Sequence, residues 1–344
     1  MESKTLIHAR LTAPRSGIAP DLAIQSSPEG WSCSWAGGRM NVRKPATLAE
    51  RNGVLCVSRG APRFAEAGNN AAELWLTRFE QRGAKAVDGV KGRYAVAFID
   101  TRSNTVSLFN DRFDTEPWCY GLENGELALA DRADGVPLEK RTISAQTIFD
   151  YLYFHVIPSP LTIFNEVHRL PPASQLQWNG GKASISKHWL PEFGETPGIS
   201  LAEAKGRFLD IVRESVRNEY AGPDTGSFLS GGTDSSTVSG MLCQVGGAPA
   251  RTYSMGFDAT GYDEMEYARI AAKHFKTDHH EYYVTPEDLL EGIPLVARSY
   301  DQPFGNSSAV PAWICASRAR ADGITKLLAG DGGDELFGGN SRYA

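Results

Sequence analysis

Long apolar runs are missing from this 344-residue chain; none approaches the roughly eighteen consecutive apolar residues that a membrane-spanning helix needs. The first residues, with Glu2, His8 and early prolines, lack the apolar core of a secretory leader. Cysteine is scarce: five thiols, with no Cys-x-x-Cys spacing, supply neither a disulfide framework nor a zinc site. Basic runs are absent too, and a net charge of −6 argues against a general nucleic-acid binder. No Gly-x-x-x-x-Gly-Lys-Ser/Thr occurs, so no P-loop lysine holds phosphates. His279-His280-Glu281 is not the His-Glu-x-x-His of a zinc protease and leads into β-like Tyr282-Tyr283-Val284. The remaining profile is that of a cytoplasmic enzyme long enough for two domains, each with its own core.

What is present is concentrated in two segments. Ser230-Gly231-Gly232-Thr233-Asp234-Ser235-Ser236 follows the short apolar run Gly226-Ser227-Phe228-Leu229 and leads into a helix-compatible stretch from Thr237 to Gln244. Strand, glycine-rich turn and helix in that order bring bare backbone N–H groups and hydroxyls to the positive end of a helix dipole, which suits a phosphate chain. Asp234 is out of place beside phosphate unless a cation stands between, which makes it a candidate Mg²⁺ ligand. A plain Ser/Gly turn capped by an Asp is the bland alternative. The second segment follows an expected buried strand, Leu327-Leu328-Ala329. It reads Gly330-Asp331-Gly332-Gly333-Asp334-Glu335-Leu336-Phe337-Gly338-Gly339. Glycines and acids directly after a strand fit a metal-phosphate site at the carboxyl edge of a parallel sheet, with Asp334 as a second carboxylate for the same Mg²⁺. The oxygen spacing of a calcium loop is missing, and a solvated acidic turn is the alternative.

Together the two segments resemble the asparagine synthetase family, whose pyrophosphate loop reads Ser-Gly-Gly-x-Asp-Ser-Ser. The family's later signature has the form Gly-(Glu/Asp)-Gly-x-Asp-Glu-x-Phe-Gly-Gly. Tyr253-Ser254-Met255-Gly256-Phe257 is similar to its adenine-contacting strand, and Asp301-Gln302-Pro303 to the segment before the second signature. The resemblance implies ATP bound by Leu229, Ser230, Gly231, Gly232, Asp234, Ser235, Ser236, Met255, Gly256, Ala329 and Gly330. It also implies Mg²⁺ between Asp234 and Asp334, whose carboxylates should then lie within about 8 Å. Asp331 matches an acid near the acyl centre. The implied reaction is an AMP-forming amide ligation of a small-molecule or peptide carboxylate, aspartate by default, with no nucleic-acid or membrane partner; a homodimer is left open.

The first 190 residues resemble the family's other domain more loosely. Val90 to Asp100 is similar to its Gly-x-Phe-Ala-Phe-Ala strand, and Asn110 to Tyr120 to the strand that follows. In glutamine-dependent members this domain is an N-terminal-nucleophile glutaminase whose nucleophile is a cysteine directly after the initiator methionine. Here that residue is Glu2, and Ser58-Arg59-Gly60 and Gly68-Asn69-Asn70 stand about where the glutamine-holding segments belong. The expectation is a retained scaffold with a dead glutaminase site, as in β-lactam synthetases and lasso-peptide cyclases, which use a substrate amine. The implied fold class is an α+β domain of antiparallel sheets and helices over 1–190, a Pro/Gly linker over 191–199, and an α/β pyrophosphate-loop domain with a parallel sheet over 200–344. Family members continue with a helical half beyond this point, so the C-terminal part is expected to be missing. Two other readings compete: a non-catalytic nucleotide-binding scaffold, and an NAD- or GMP-synthetase-like adenylating enzyme, which would share neither the first domain nor the 330–339 signature.

Local signals place further elements. Val54-Leu55-Cys56-Val57, Thr105 to Phe109 and Leu127 to Ala130 read as strands, Asn70 to Gln81 and Ser144 to Phe154 as helices, and Ser200 as the cap of a helix through Val216. Lys326 reads as solvated, and Arg298, Arg318 and Arg320 as a candidate anion-holding set.

Overall fold

The computed structural model describes residues 5–12, 22–195, 197–258 and 263–339, so Glu2 lies outside the described residues. The chain forms two compact units. One is Met1–Phe193 with Ser299–Gly305; the other is Gly194–Arg298 with Asn306–Ala344.

The first unit contains strands β1 (Ile7–Leu11), β2 (Ala23–Ser27), β3 (Gly30–Trp35), β4 (Gly38–Arg43), β5 (Thr47–Arg51) and β6 (Val54–Arg63), then helix α1 (Ala71–Arg82). There follow β7 (Lys91–Asp100), β8 (Thr105–Asn110), β9 (Cys119–Glu123), β10 (Glu126–Ala130), α2 (Ala145–Phe154), β11 (His168–Arg169), β12 (Ser174–Asn179) and β13 (Lys182–Lys187). They make two antiparallel sheets, ordered β11-β9-β10-β1-β4-β3-β2 and β13-β12-β8-β7-β6-β5. Side chains alternate across a strand, and β7 shows the result. Ala95, Ala97 and Ile99 enter the core shared by the two sheets, with Leu11, Met40 and Trp178. Tyr94, Val96 and Phe98 face the other way, against Trp75 and Leu76 of α1. Residues 94–99 are therefore all buried, and the strand reads as a continuous apolar run. Caps set the helix starts: Asn70 accepts the Ala72 N–H at 2.9 Å, and Ser144 the Thr147 N–H at 3.3 Å.

The stretch from Asn110 to Tyr120, expected to be one strand, is mostly a loop; only Cys119 and Tyr120 join β9. Asp111 is the cause. Its buried carboxylate accepts N–H groups from Tyr94 (3.1 Å), Phe113 (2.9 Å), Thr115 (3.3 Å) and Glu116 (3.3 Å), which folds the chain around one side chain.

The second unit runs α3 (Leu201–Glu219), β14 (Thr225–Phe228), α4 (Thr233–Gly246), β15 (Arg251–Phe257), α5 (Met265–Phe275), β16 (Asp278–Val284), α6 (Pro286–Ala297), α7 (Ala309–Ala321), β17 (Lys326–Leu328) and α8 (Gly333–Phe337). Its four strands are parallel in the order β16-β15-β14-β17. The chain builds outward from β14 to β15 and β16, then crosses to the far side of β14 for β17. That reversal makes the carboxyl end of β14 the switch point, where an open α/β sheet forms its ligand crevice.

The region 200–344 is not one continuous unit, because Ser299–Gly305 clusters with the first. Asp301 accepts the Ala133 N–H at 2.8 Å and pairs with Arg169 at 3.2 Å, and Gln302 accepts the Ile163 N–H at 3.2 Å.

Candidate functional site

Both glycine-rich segments emerge at the switch point. The loop after β14 begins at Leu229, whose N–H donates to the Tyr253 carbonyl at 2.9 Å and whose own carbonyl accepts from the Ser254 hydroxyl, so the loop hangs from the middle of β15. Ser230 is locked inward: its N–H donates to Ser235 Oγ at 3.2 Å, the two hydroxyls sit 2.9 Å apart, and Gly232 N–H donates to Ser230 Oγ at 3.3 Å. Gly231 has φ +84°, and a Cβ there would lie 2.4 Å from the Tyr267 carbonyl carbon, so no other residue fits. Gly232 then takes the N-cap position of α4 without a side chain to satisfy the first N–H groups. The helix starts at Thr233, four residues earlier than the Thr237 expected, which puts Asp234 in its first turn. Ser236 Oγ is buried and makes no hydrogen bond. Open helix-start donors and an unpartnered hydroxyl together leave the loop equipped to receive oxygen atoms from a ligand.

The second loop packs directly onto the first. A Cβ on Gly330 would fall 2.7 Å from Ser235 N and 2.8 Å from Asp234 Cβ, and one on Gly333 would fall 2.4 Å from Asp234 Oδ2. Asp234 is thereby brought beside the segment that carries Asp331 and Asp334. None of the three carboxylates has a hydrogen-bond or ion-pair partner among the described residues. Carboxylate and hydroxyl oxygens are the donors a hard divalent cation takes, so the donor type suits Mg²⁺, but among the described residues no three His, Cys, Asp or Glu side chains are grouped closely enough to hold a metal ion by themselves.

Two cavities flank the loops. A small one of about 80 Å³ is lined by Leu229, Ser230, Ser254, Met255, Phe257 and Met265. Gly256, buried between Met255 and Phe257, packs against Tyr283, where a Cβ would meet the ring at 2.7 Å, and Tyr283 OH donates to Asp263 at 3.2 Å. The larger, about 900 Å³, opens between α3, α4, β17 and α8 and takes in Thr233, Asp234, Ala329, Gly330 and Asp331. Its α3 wall left no local signal in the sequence, because it is a wall only once α3 lies beside β17. Lys326, expected to be solvated, instead pairs with Glu219 at 2.6 Å along this wall. Arg318 is not part of an anion site; it stacks over the Tyr282 ring at 4.2 Å and donates to its hydroxyl at 2.8 Å.

In the first unit, both segments that stand where glutamine-holding residues belong have structural partners. Arg59 is buried, pairs with Glu116 at 2.9 Å, donates to the Pro117 carbonyl and lies over Trp118. Asn70 caps α1, and a Cβ on Gly68 would meet Leu74 at 2.8 Å. No thiol is placed to act as a nucleophile: Cys33, Cys56, Cys119 and Cys315 are buried. Burial pushes Cys33 up to about 11 and Cys119 and Cys315 up to about 12, so each stays a protonated thiol at neutral pH. Cys243, half-buried, accepts the Ala250 N–H at 3.4 Å.

An open parallel sheet with two glycine-rich loops at its switch point, following a pair of stacked antiparallel sheets, is the architecture of a pyrophosphate-loop protein joined to an amidotransferase-type domain. Residues 207–344 match the asparagine synthase family and residues 63–189 the glutamine amidotransferase domain. In both regions the chain is similar to the asparagine synthetase family. It is 30% identical over 278 residues to the putative glutamine-hydrolyzing asparagine synthetase 2 of Methanocaldococcus jannaschii, covering 78% of this chain and 53% of that protein. It is 24% identical over 277 residues to the glutamine-hydrolyzing asparagine synthetase 1 of Bacillus subtilis, covering 79% and 43%. The chain thus spans about half the length of the curated relatives it matches. A solved glutamine phosphoribosylpyrophosphate amidotransferase from B. subtilis, complexed with ADP and GMP, aligns with 94% of this chain and 84% of its own, at a TM-score of 0.32 and 9% identity, a level with no bearing on function.

Proposed function

We propose that this chain carries the adenylating half of an ATP-dependent, AMP-forming amide ligase that activates a carboxylate and passes it to an amine. The observation that supports this is the meeting of the two loops at the switch point. Helix-start N–H groups, the free Ser236 hydroxyl and Asp234 lie beside the loop that carries Asp331 and Asp334. The β and γ phosphates of ATP would lie over 230–236, with the base toward Met255 and Gly256. A substrate carboxylate oxygen attacks the α-phosphorus, the bond from that phosphorus to the β-bridging oxygen breaks, and pyrophosphate leaves. The amine nitrogen then attacks the acyl carbon, the bond to AMP breaks, and the amine proton is lost to solvent. Loop N–H groups already aimed at the phosphates stabilise the charge that grows on the leaving pyrophosphate without reorganising. Mg²⁺, when bound by Asp234 and Asp334, neutralises phosphate charge and polarises the α-phosphoryl group. Asp331, which lines the cavity, would meet the incoming amine or the acyl group.

The buried, ion-paired Arg59 and the protonated thiols favour an amine that comes with a substrate rather than from glutamine hydrolysed in the first unit. That is the arrangement of a β-lactam synthetase or lasso-peptide cyclase. The first unit then serves as scaffold, and the ligand set is a small-molecule or peptide carboxylate plus an amine. Among the described residues no helix is long and apolar enough to cross a membrane.

Isotope exchange between pyrophosphate and ATP, stimulated by the cognate acid, tests the reading. Asp234→Asn should lower both exchange and Mg-ATP affinity at least tenfold, since it removes the charge that lets a cation sit beside the phosphates. Release of ADP and phosphate instead of AMP and pyrophosphate, or equal Mg-ATP affinity for wild type and variant, would refute it.

A further inference from the structure

The cavity of about 900 Å³ beside the loops is large for an aspartate-sized ligand and falls at the upper end of sites that enclose drug-sized molecules. Its walls are apolar: Phe208, Ile211, Val238, Leu328, Leu336 and Phe337 line it. Phe208 of α3 and Phe337 of α8 meet edge to face at 5.3 Å. Ile211, Leu336 and Phe337 each keep about two thirds of their surface exposed, at 65%, 66% and 66%, a concentration of open apolar surface that marks a binding face. Charge in the walls away from the loops is nearly cancelled, because Lys326 is held by Glu219 at 2.6 Å. Arg207 is the exception: it lines the cavity and has no hydrogen-bond or ion-pair partner among the described residues. One uncompensated guanidinium in an apolar wall matches one carboxylate. A dicarboxylic amino acid would bring a second carboxylate to a wall with no second free cation among the described residues, at a desolvation cost, although its ammonium group would meet the partnerless Asp234 and Asp331 at the loop edge.

We propose that this cavity receives a monocarboxylic acid with an apolar body, the acyl substrate class of the ligase; that assignment to the acyl substrate rests on the function proposed above. The acid's hydrocarbon lies along α3 and α8, and its carboxylate faces Arg207. Aspartate is then not the substrate of this chain.

Calorimetry on the 344-residue chain with hexanoate, octanoate, decanoate and L-aspartate tests the proposal, with Mg-ATP titrated separately. Affinity should rise roughly fourfold per buried methylene along the series, and aspartate should bind more weakly than decanoate. Ala204→Trp, which fills the cavity from the surface of α3, should abolish decanoate binding, and Arg207→Glu should weaken it about tenfold. Both variants should keep the wild-type circular dichroism spectrum and Mg-ATP affinity. Aspartate binding as tightly as decanoate, affinity independent of chain length, or decanoate binding indifferent to both variants would overturn the proposal. Absence of any saturable acid binding would overturn it too and assign the groove to polypeptide packing. Loss of Mg-ATP binding with the acid series intact would instead refute the nucleotide site and leave the cavity's ligand class standing.

Discussion

Replacing Gly330 by Ala isolates the contact between the two loops. Gly330 does not need a left-handed backbone, so the substitution adds no φ strain; its whole effect comes from one methyl group. That methyl would lie 2.7 Å from Ser235 N and 2.8 Å from both the carbonyl carbon and Cβ of Asp234. Unstrained carbon contacts sit near 3.5–4.0 Å, so the loops must part by roughly 1 Å. The atoms in the way are mostly backbone at the first turn of α4, which cannot rotate aside. Overpacking of this kind costs about 1–3 kcal/mol of stability. A shift of about 1 Å in a phosphate cradle can cost on the order of 100-fold in function. Mg-ATP affinity by calorimetry and unfolding in urea are measured side by side, with Gly247→Ala as the control. Gly247 has φ +66° and nothing within 4 Å of an added Cβ, so that variant should lose about 1 kcal/mol of stability and keep its Mg-ATP affinity. A Gly330→Ala protein that binds Mg-ATP as tightly as wild type would show that the two loops do not form one site.

Two further outcomes are expected. Burial raises the Asp114 carboxyl to about 6, so the folded state holds its proton more tightly than the unfolded chain; the penalty of charging it is absent below about pH 4 and complete above about pH 6. Asp114→Asn should therefore stabilise the fold by about 1–3 kcal/mol at pH 8 and by little at pH 4, the more readily because φ here is 55°, a conformation Asn tolerates; equal effects at both pH values in urea titrations would contradict this. With Cys33, Cys56, Cys119 and Cys315 buried, incubation with glutamine should release no glutamate above a buffer blank, and a glutamine-analogue electrophile should label no cysteine.

Some of this structure was plain in the amino-acid order because its cause is local. Asn70, Ser144 and Ser200 are caps, each bonding an N–H two or three residues on, and they fix where three helices begin. Ser230 to Ser236 could be read as a phosphate-type loop because its glycines, hydroxyls and acid are contiguous. What could not be read arises from partners far along the chain. Asp111 bends an expected strand into a loop by gathering N–H groups from both sides of itself. Asp301 carries its segment to Arg169, 132 positions away. Lys326 looks solvated until Glu219, 107 residues earlier, arrives beside it. The wide cavity is the extreme case, since its walls come from four elements whose own sequences are ordinary.

The membership of Ser299–Gly305 in the first unit has a practical corollary. Cutting the gene in the linker near residue 194 would not yield two self-sufficient proteins. A fragment from 194 onward would keep Asp301 and Gln302 but not Ala133, Ile163 or Arg169, their hydrogen-bonding partners. A fragment ending at 193 would in turn present those partners empty-handed. A clean dissection has to remove or bridge residues 299–305 in the C-terminal piece and supply them as a peptide to the N-terminal one. Proteolytic nicking in the linker should leave the two pieces associated for the same reason.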